Sequence, residues 1–190
     1  MAHPDMFPAA TLNTLASEIG LRVPATLRAA KPALHIAETF SVWMLGLDAT
    51  TKPDQDISKL AQQTSQWHHQ IKSSGKVETF ARSVPHGPNP TDWTIAQLTT
   101  ASPIAEKIDK AADWIDNNVK GDPLVRLLIV PAYYLHAFWL EDQGTSHVLV
   151  IDMPDGFTRL KYNTLYASKE FLEALAKERH ATPIPAAPGS

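Results

Sequence analysis

One stretch of this chain has both of its ends marked. Ser102-Pro103 supplies an N-cap followed by a proline in the first turn, where a missing N–H costs nothing. Ile104, Ile108, Ala111, Ala112, Ile115 and Val119 then recur at helical spacing. Gly121 stands where a left-handed residue closes a helix. This amphipathic helix divides the chain, and the two sides read differently.

After Asp122-Pro123 the residues favour extended backbone. Leu124 to Val130 is aliphatic and β-branched, and Tyr133 to Leu140 continues with aromatics past a bend at Pro131. Glu141 to Ser146, with Gly144, reads as a hairpin connection to a short strand over His147 to Asp152. Pro154-Asp155-Gly156 is a turn with a mechanism: a fixed φ, a side chain that bonds back, and a residue free to take positive φ. Phe157 to Tyr162 is then expected as the returning strand. Ser168 caps a last helix over Lys169 to Arg179, with Phe171, Leu172 and Leu175 inward.

Before Ser102 the apolar spacing reads as helix. Leu12, Leu15, Ala16 and Ile19 predict one over Ala9 to Ile19, ended at Gly20, and Pro24 opens a short one within Leu21 to Ala30. Leu34, Ala37, Phe40, Trp43, Met44 and Leu47 cover a wide arc of a helix over Lys31 to Leu47. Ile57, Leu60, Ala61, Thr64, His68 and Ile71 share a face of another over Asp54 to Lys72. Arg82 to Pro90 is irregular, and Thr91 caps a short helix over Asp92 to Leu98.

The fold class expected is α+β: a helical N-terminal two thirds packed on a small antiparallel β-meander, with a C-terminal covering helix. Residues 9–180 form a single globular domain, with 1–8 a mobile lead-in and 181–190 a Pro-rich tail. No internal repeat is visible.

Composition narrows the function. With 44% hydrophobic and 19% charged residues, the chain has enough apolar material for a packed core. A net charge of −3 and no Lys/Arg stripe argue against nucleic acid and anionic membranes as partners. No cysteine is present, which excludes disulfides, thiolate metal sites and thiol nucleophiles. The most apolar window, Leu124 to Leu140, is interrupted by Arg126, Pro131 and His136, and falls short of the roughly 20 residues a bilayer span needs. The opening residues show no secretory leader, so a soluble, cytoplasmic protein is expected.

No Gly-x-Ser-x-Gly elbow, dinucleotide fingerprint, phosphate loop or His-Glu-x-x-His motif occurs, so no cofactor is implied and enzymatic activity is left undecided. Asp54-Gln55-Asp56 lacks the rest of a calcium loop and is read as helix capping. On the expected helices His35 and Glu38 stand at i, i+3, and His68 could meet them from the next helix. That trio would suit zinc or non-haem iron. His69, about 100° further round, is expected at the surface.

A second candidate is the aromatic band Tyr133, Tyr134, His136, Phe138 and Trp139, read as a partner-binding face, with His136 and His147 as cross-strand neighbours. The function expected first is a non-catalytic protein-interaction protein: an adaptor, an immunity-type partner or a subunit of a larger assembly, with a protein partner or self-association. The alternative is a small-molecule-binding protein or metal-dependent enzyme whose site lies between the helices and the meander.

Overall fold

The computed structural model describes residues 3–4, 7–24, 34–87, 89, 92–100 and 102–179. Among them the chain forms a nine-stranded sheet and three α-helices, so the helical N-terminal two thirds is corrected to a mostly β one. In chain order these are β1 (His3–Pro4), α1 (Ala9–Arg22), β2 (His35–Leu45), β3 (Ala61–Ser73), β4 (Lys76–Pro85), β5 (Trp93–Thr100), α2 (Pro103–Asn118), β6 (Leu124–Val130), β7 (Leu135–Asp142), β8 (Thr145–Asp152), β9 (Leu165–Ala167) and α3 (Ser168–Arg179). Among the described residues no helix is long and apolar enough to cross a membrane.

The sheet runs β5-β4-β3-β2-β6-β7-β8-β9. It consists of two antiparallel meanders, β2 to β5 and β6 to β9, joined where β2 and β6 pair in parallel through Val42↔Leu127, Trp43↔Leu128 and Met44↔Ile129. β1 extends that seam by pairing with the start of β6. Ser74-Gly75 and Gln143-Gly144 turn β3 into β4 and β7 into β8. All four residues have positive φ, as tight hairpin turns require.

The two N-terminal helices expected over Lys31 to Leu47 and Asp54 to Lys72 are overturned by β2 and β3, joined by short 3-10 turns at Leu47–Thr51 and Ile57–Lys59. β2 is buried continuously from Thr39 to Val42, because a central strand meets packing on both faces and loses its period of two. Thr39 and Ser41, polar positions of the expected helix, are 7% and 0% exposed. The helix expected at Asp92–Leu98 is edge strand β5, and its cap Thr91 lies outside the described residues. The short helix expected in Leu21–Ala30 lies mostly outside them, as does the tail from 181.

The marked helix is present as α2, although Ser102 makes no side-chain capping bond. Val119 ends it, and Gly121 follows at φ +95. Strands over Leu124–Val130 and through β7 and β8 are as expected. Phe157 to Tyr162 is not one: the buried Glu178 carboxylate accepts from the Thr158 and Arg159 N–H groups (2.8 and 2.5 Å), pinning the segment as a loop, and β9 forms beyond it.

α2 covers one face of the sheet. Ile108 and Ile115 sit on Phe40, Val42, Leu127 and Phe138. α3 covers the other face, where Phe171, Leu172 and Leu175 pack on Leu128, Ala137 and Trp139. α1 joins α3 on that side, over Ile71, Ala81 and Ile95. At the free edge of β5, α1 does something further: Glu18 accepts from the Ile95 N–H (3.2 Å) and Arg22 donates to the Ile95 carbonyl (2.7 Å). Two side chains of a helix thereby take the hydrogen bonds a further strand would make.

Candidate functional site

The unusual element is β3. From Gln66 to Lys72 it reads Gln-Trp-His-His-Gln-Ile-Lys, yet it lies inside the sheet with β2 and β4 on either side. Its side chains alternate between the two faces, and the faces treat their polar groups differently.

Toward α1 the expectation that His69 is exposed is reversed. His69 is 0% exposed, with Thr39 Oγ1 at 3.0 Å from Nδ1 and Ser83 Oγ at 2.7 Å from Nε2. Hydroxyls both donate and accept, so they serve a neutral ring whichever nitrogen carries the proton. Phe7 lies edge-on to it at 5.2 Å and to Trp67 at 4.9 Å. Burial holds its pKa down at about 4. This histidine is a satisfied structural group.

Toward α2 the polar groups are not satisfied. His68 is 1% exposed, flat against Phe80 at 4.8 Å, and directly across from Phe40 on β2 and Arg82 on β4. Neither of its ring nitrogens has a partner within strict hydrogen-bond geometry, although the Gln70 side chain on the same face lies close enough to favour the protonated ring. Gln66 Oε1, Gln70 Oε1, Arg82 Nε and His136 Nδ1 are buried and unpartnered in the same way. α2 closes over this cluster at two points. Gln70 donates to the Ala105 carbonyl in its first turn (2.9 Å), and Lys107 pairs at 2.5 Å with Asp152, which stands opposite His136. Gln66, Arg82 and His136 are half-buried, so the cluster reaches the surface through them, and the narrow space it encloses under α2 is termed the crevice.

The electrostatics follow from burial and one cation. Burial first, then the charge of Arg82, push His68 well below the ordinary histidine value, with neighbouring His69 and His136 adding to this and Gln70 opposing it. His136 is lowered by burial and by Arg82 and Lys107, against an opposing pull from Asp152. Burial also lowers Arg82. At neutral pH the crevice therefore offers two uncharged imidazoles beside a guanidinium, which is a set of donors and acceptors able to hold a polar molecule. Ser83, whose hydroxyl lies 2.7 Å from His69, is fully buried on the other face.

The expected metal trio does not converge. His35 is exposed at the start of β2, Glu38 is tied to Lys72 at 2.7 Å, and His68 lies under α2. The i, i+3 argument needed a helix that is a strand. Among the described residues no three His, Asp or Glu side chains are grouped to hold a metal ion. The aromatic band is mostly core, with Tyr133, Phe138 and Trp139 at 7%, 0% and 2% exposure. Trp139 packs edge-on to Trp43 at 5.1 Å, under the Arg126 guanidinium at 4.3 Å. Only Tyr134 of the five is well exposed, and His136 joins the crevice. His136 and His147 are not neighbours, since they face Asp152 and Leu140.

Arg82, Gln66 and Gln70 are the residues that sequence reasoning missed. Their signal is period two: written as a strand, Gln66, His68 and Gln70 fall on one face. Comparison of the chain with protein-family models, with curated proteins and with solved structures gives no match.

Proposed function

We propose that the protein binds a small polar molecule between the first turns of α2 and the sheet, against His68, Arg82 and His136, without covalent chemistry of its own. The observation that carries this reading is His68, a wholly buried ring with two unpartnered nitrogens. Each such group costs about 1–3 kcal/mol, a large share of the roughly 5–15 kcal/mol by which a domain is stable. A cost of that size, concentrated with four further unpartnered groups in one crevice, is what a site completed by its ligand displays.

The test is to remove the ring's polarity and keep its shape. His68→Phe, which can still stack on Phe80, is expected to raise stability by about 1–2 kcal/mol, read as a higher urea midpoint. The natural protein is expected to show a thermal shift with a small polar ligand such as glycolate, and the same variant to lose it. A clear loss of stability instead would mean that His68 is structurally bonded, and the reading would fall.

A second reading, the interaction protein, is favoured by Tyr134. Its ring is 74% exposed on a backbone at φ +49, a conformation that costs a bulky residue about 1 kcal/mol. Met44, near the end of β2, and Leu47, which opens the 3-10 turn after it, are 37% and 36% exposed. If this corner mediates self-association or an adaptor contact, Tyr134→Asn will yield a more stable chain that sediments only as monomer, where the natural chain forms dimers at micromolar concentration. Identical sedimentation of the two as monomers removes self-association from consideration.

A further inference from the structure

Resting on the ligand-site reading above, we propose that the molecule bound there presents an oxyanion, carboxylate or phosphate, to Arg82 and to N–H groups of His68 and His136. The argument is one of unbalanced charge. Among the described residues no carboxylate forms an ion pair with Arg82; its guanidinium lies 5.9 Å from the Phe80 ring centre, with its Nε unpartnered. Partly buried charges are ordinarily paired, because a lone one forfeits its hydration without return.

The nearby carboxylates are already committed. Asp152 holds Lys107 at 2.5 Å, while Glu38 and Asp109 both hold Lys72 at 2.7 Å. Lys107 is balanced by Asp152, with Asp155 also acting on it, and Glu106 stands in the first turn of α2, which leaves Arg82 as the cation of the cluster with no carboxylate paired to it among the described residues. The donors fit an oxyanion as well as the charge does. A guanidinium edge matches two oxygens of a planar or tetrahedral anion, and each neutral imidazole contributes one N–H. α2, 16 residues long, begins at this spot, anchored through Ala105 to Gln70, and the positive end of its dipole favours the same sign of ligand.

Two groups in the crevice ask for something else. Gln66 Oε1 and Gln70 Oε1 accept hydrogen bonds and would repel a bare anion. They suit a ligand that carries a hydroxyl or amino group beside its oxyanion, such as a hydroxy acid or the phosphate of a polyol. Lys107 also borders an open hollow of about 280 Å³ with Lys110, Tyr162 and Asn163.

The experiment is a titration of the full chain followed by the imidazole nitrogen resonances in NMR. The probes are inorganic phosphate, glycolate, neutral glycolamide and methylammonium. Phosphate or glycolate is expected to shift the His68 and His136 signals saturably, at least tenfold more tightly than glycolamide. Arg82→Gln is expected to weaken that binding at least tenfold, and Arg82→Lys, which keeps the charge and loses the fork, to fall between. Saturable shifts with glycolamide or methylammonium but not with the anions overturn the oxyanion and leave the ligand site standing. Equal anion affinity in folded Arg82→Gln overturns it as well. A His68 signal unmoved by all four probes removes both the oxyanion and the ligand site.

Discussion

Acidification from pH 7 to pH 4 is expected to strip the protein of several kcal/mol of stability and to unfold it near the lower end of that range. The two adjacent imidazoles of β3 are the cause. His69 has a folded pKa of about 4, against about 6.5 for a free histidine. Between those values the unfolded chain binds a proton that the folded one refuses, so stability falls as pH falls. It is intact above about pH 6.5 and lost progressively toward pH 4, by about 1.4 kcal/mol per pH unit. That amounts to about 3 kcal/mol from His69 alone. His68 is displaced in the same direction by burial and Arg82, and His136 adds to it, so their losses accumulate over the same window. Urea midpoints followed by tryptophan fluorescence at pH 7, 6, 5 and 4 will measure this, with Trp67 and Trp93 packed on the Phe7 ring that also touches His69. Midpoints that stay level from pH 7 to pH 5 would show that β3 does not keep its histidines neutral.

Phe138→Ala is expected to cost about 3–5 kcal/mol, the usual loss for deleting a fully buried phenyl ring. In a chain of this length that lowers the melting temperature by about 10 °C. Phe138 is 0% exposed, lies 4.8 Å from Phe40 across the parallel seam, and is flanked by Leu127 and Leu149 beneath Ile108 of α2. Its removal opens a void where the two meanders and α2 meet. Calorimetry separates this from a role in partner contact: a contact residue at the surface would change the melting temperature by no more than a degree or two. Phe138→Leu, which keeps most of the volume, is expected to recover over half of the loss.

The second half of the fold was legible because its signals are local. Gly121 and the Ser102-Pro103 start bound α2 without reference to the rest of the chain, and the positive-φ pair at Gln143-Gly144 sits in the hairpin connection expected there. The first half depends on distant partners. β2 matches a helical arc through Leu34, Phe40, Trp43 and Leu47 only because its intervening Thr39 and Ser41 look solvent-facing. In fact Thr39 is bonded to His69 across the sheet, and the Ser41 hydroxyl accepts from the Trp43 indole. β3 hides its nature further, since Gln70, His68 and Ser73 are buried without being apolar. The crevice was legible only as far as His68. Its neighbour Arg82 lies fourteen positions on and meets it through strand pairing, which no local pattern records.

The clasp of Glu18 and Arg22 on Ile95 bears on whether this edge of the sheet is open to other chains. A sheet whose last strand is open recruits strands from its neighbours, and copies of itself are the nearest supply. Here the first helix fills that vacancy with a carboxylate and a guanidinium held 2.5 Å apart from each other, a charged pair that no incoming backbone can imitate. Closure of this edge thus rests on two side chains that lie outside the crevice. A chain trimmed of its first helix would bare both this open edge and the apolar face that Leu15 and Ile19 cover.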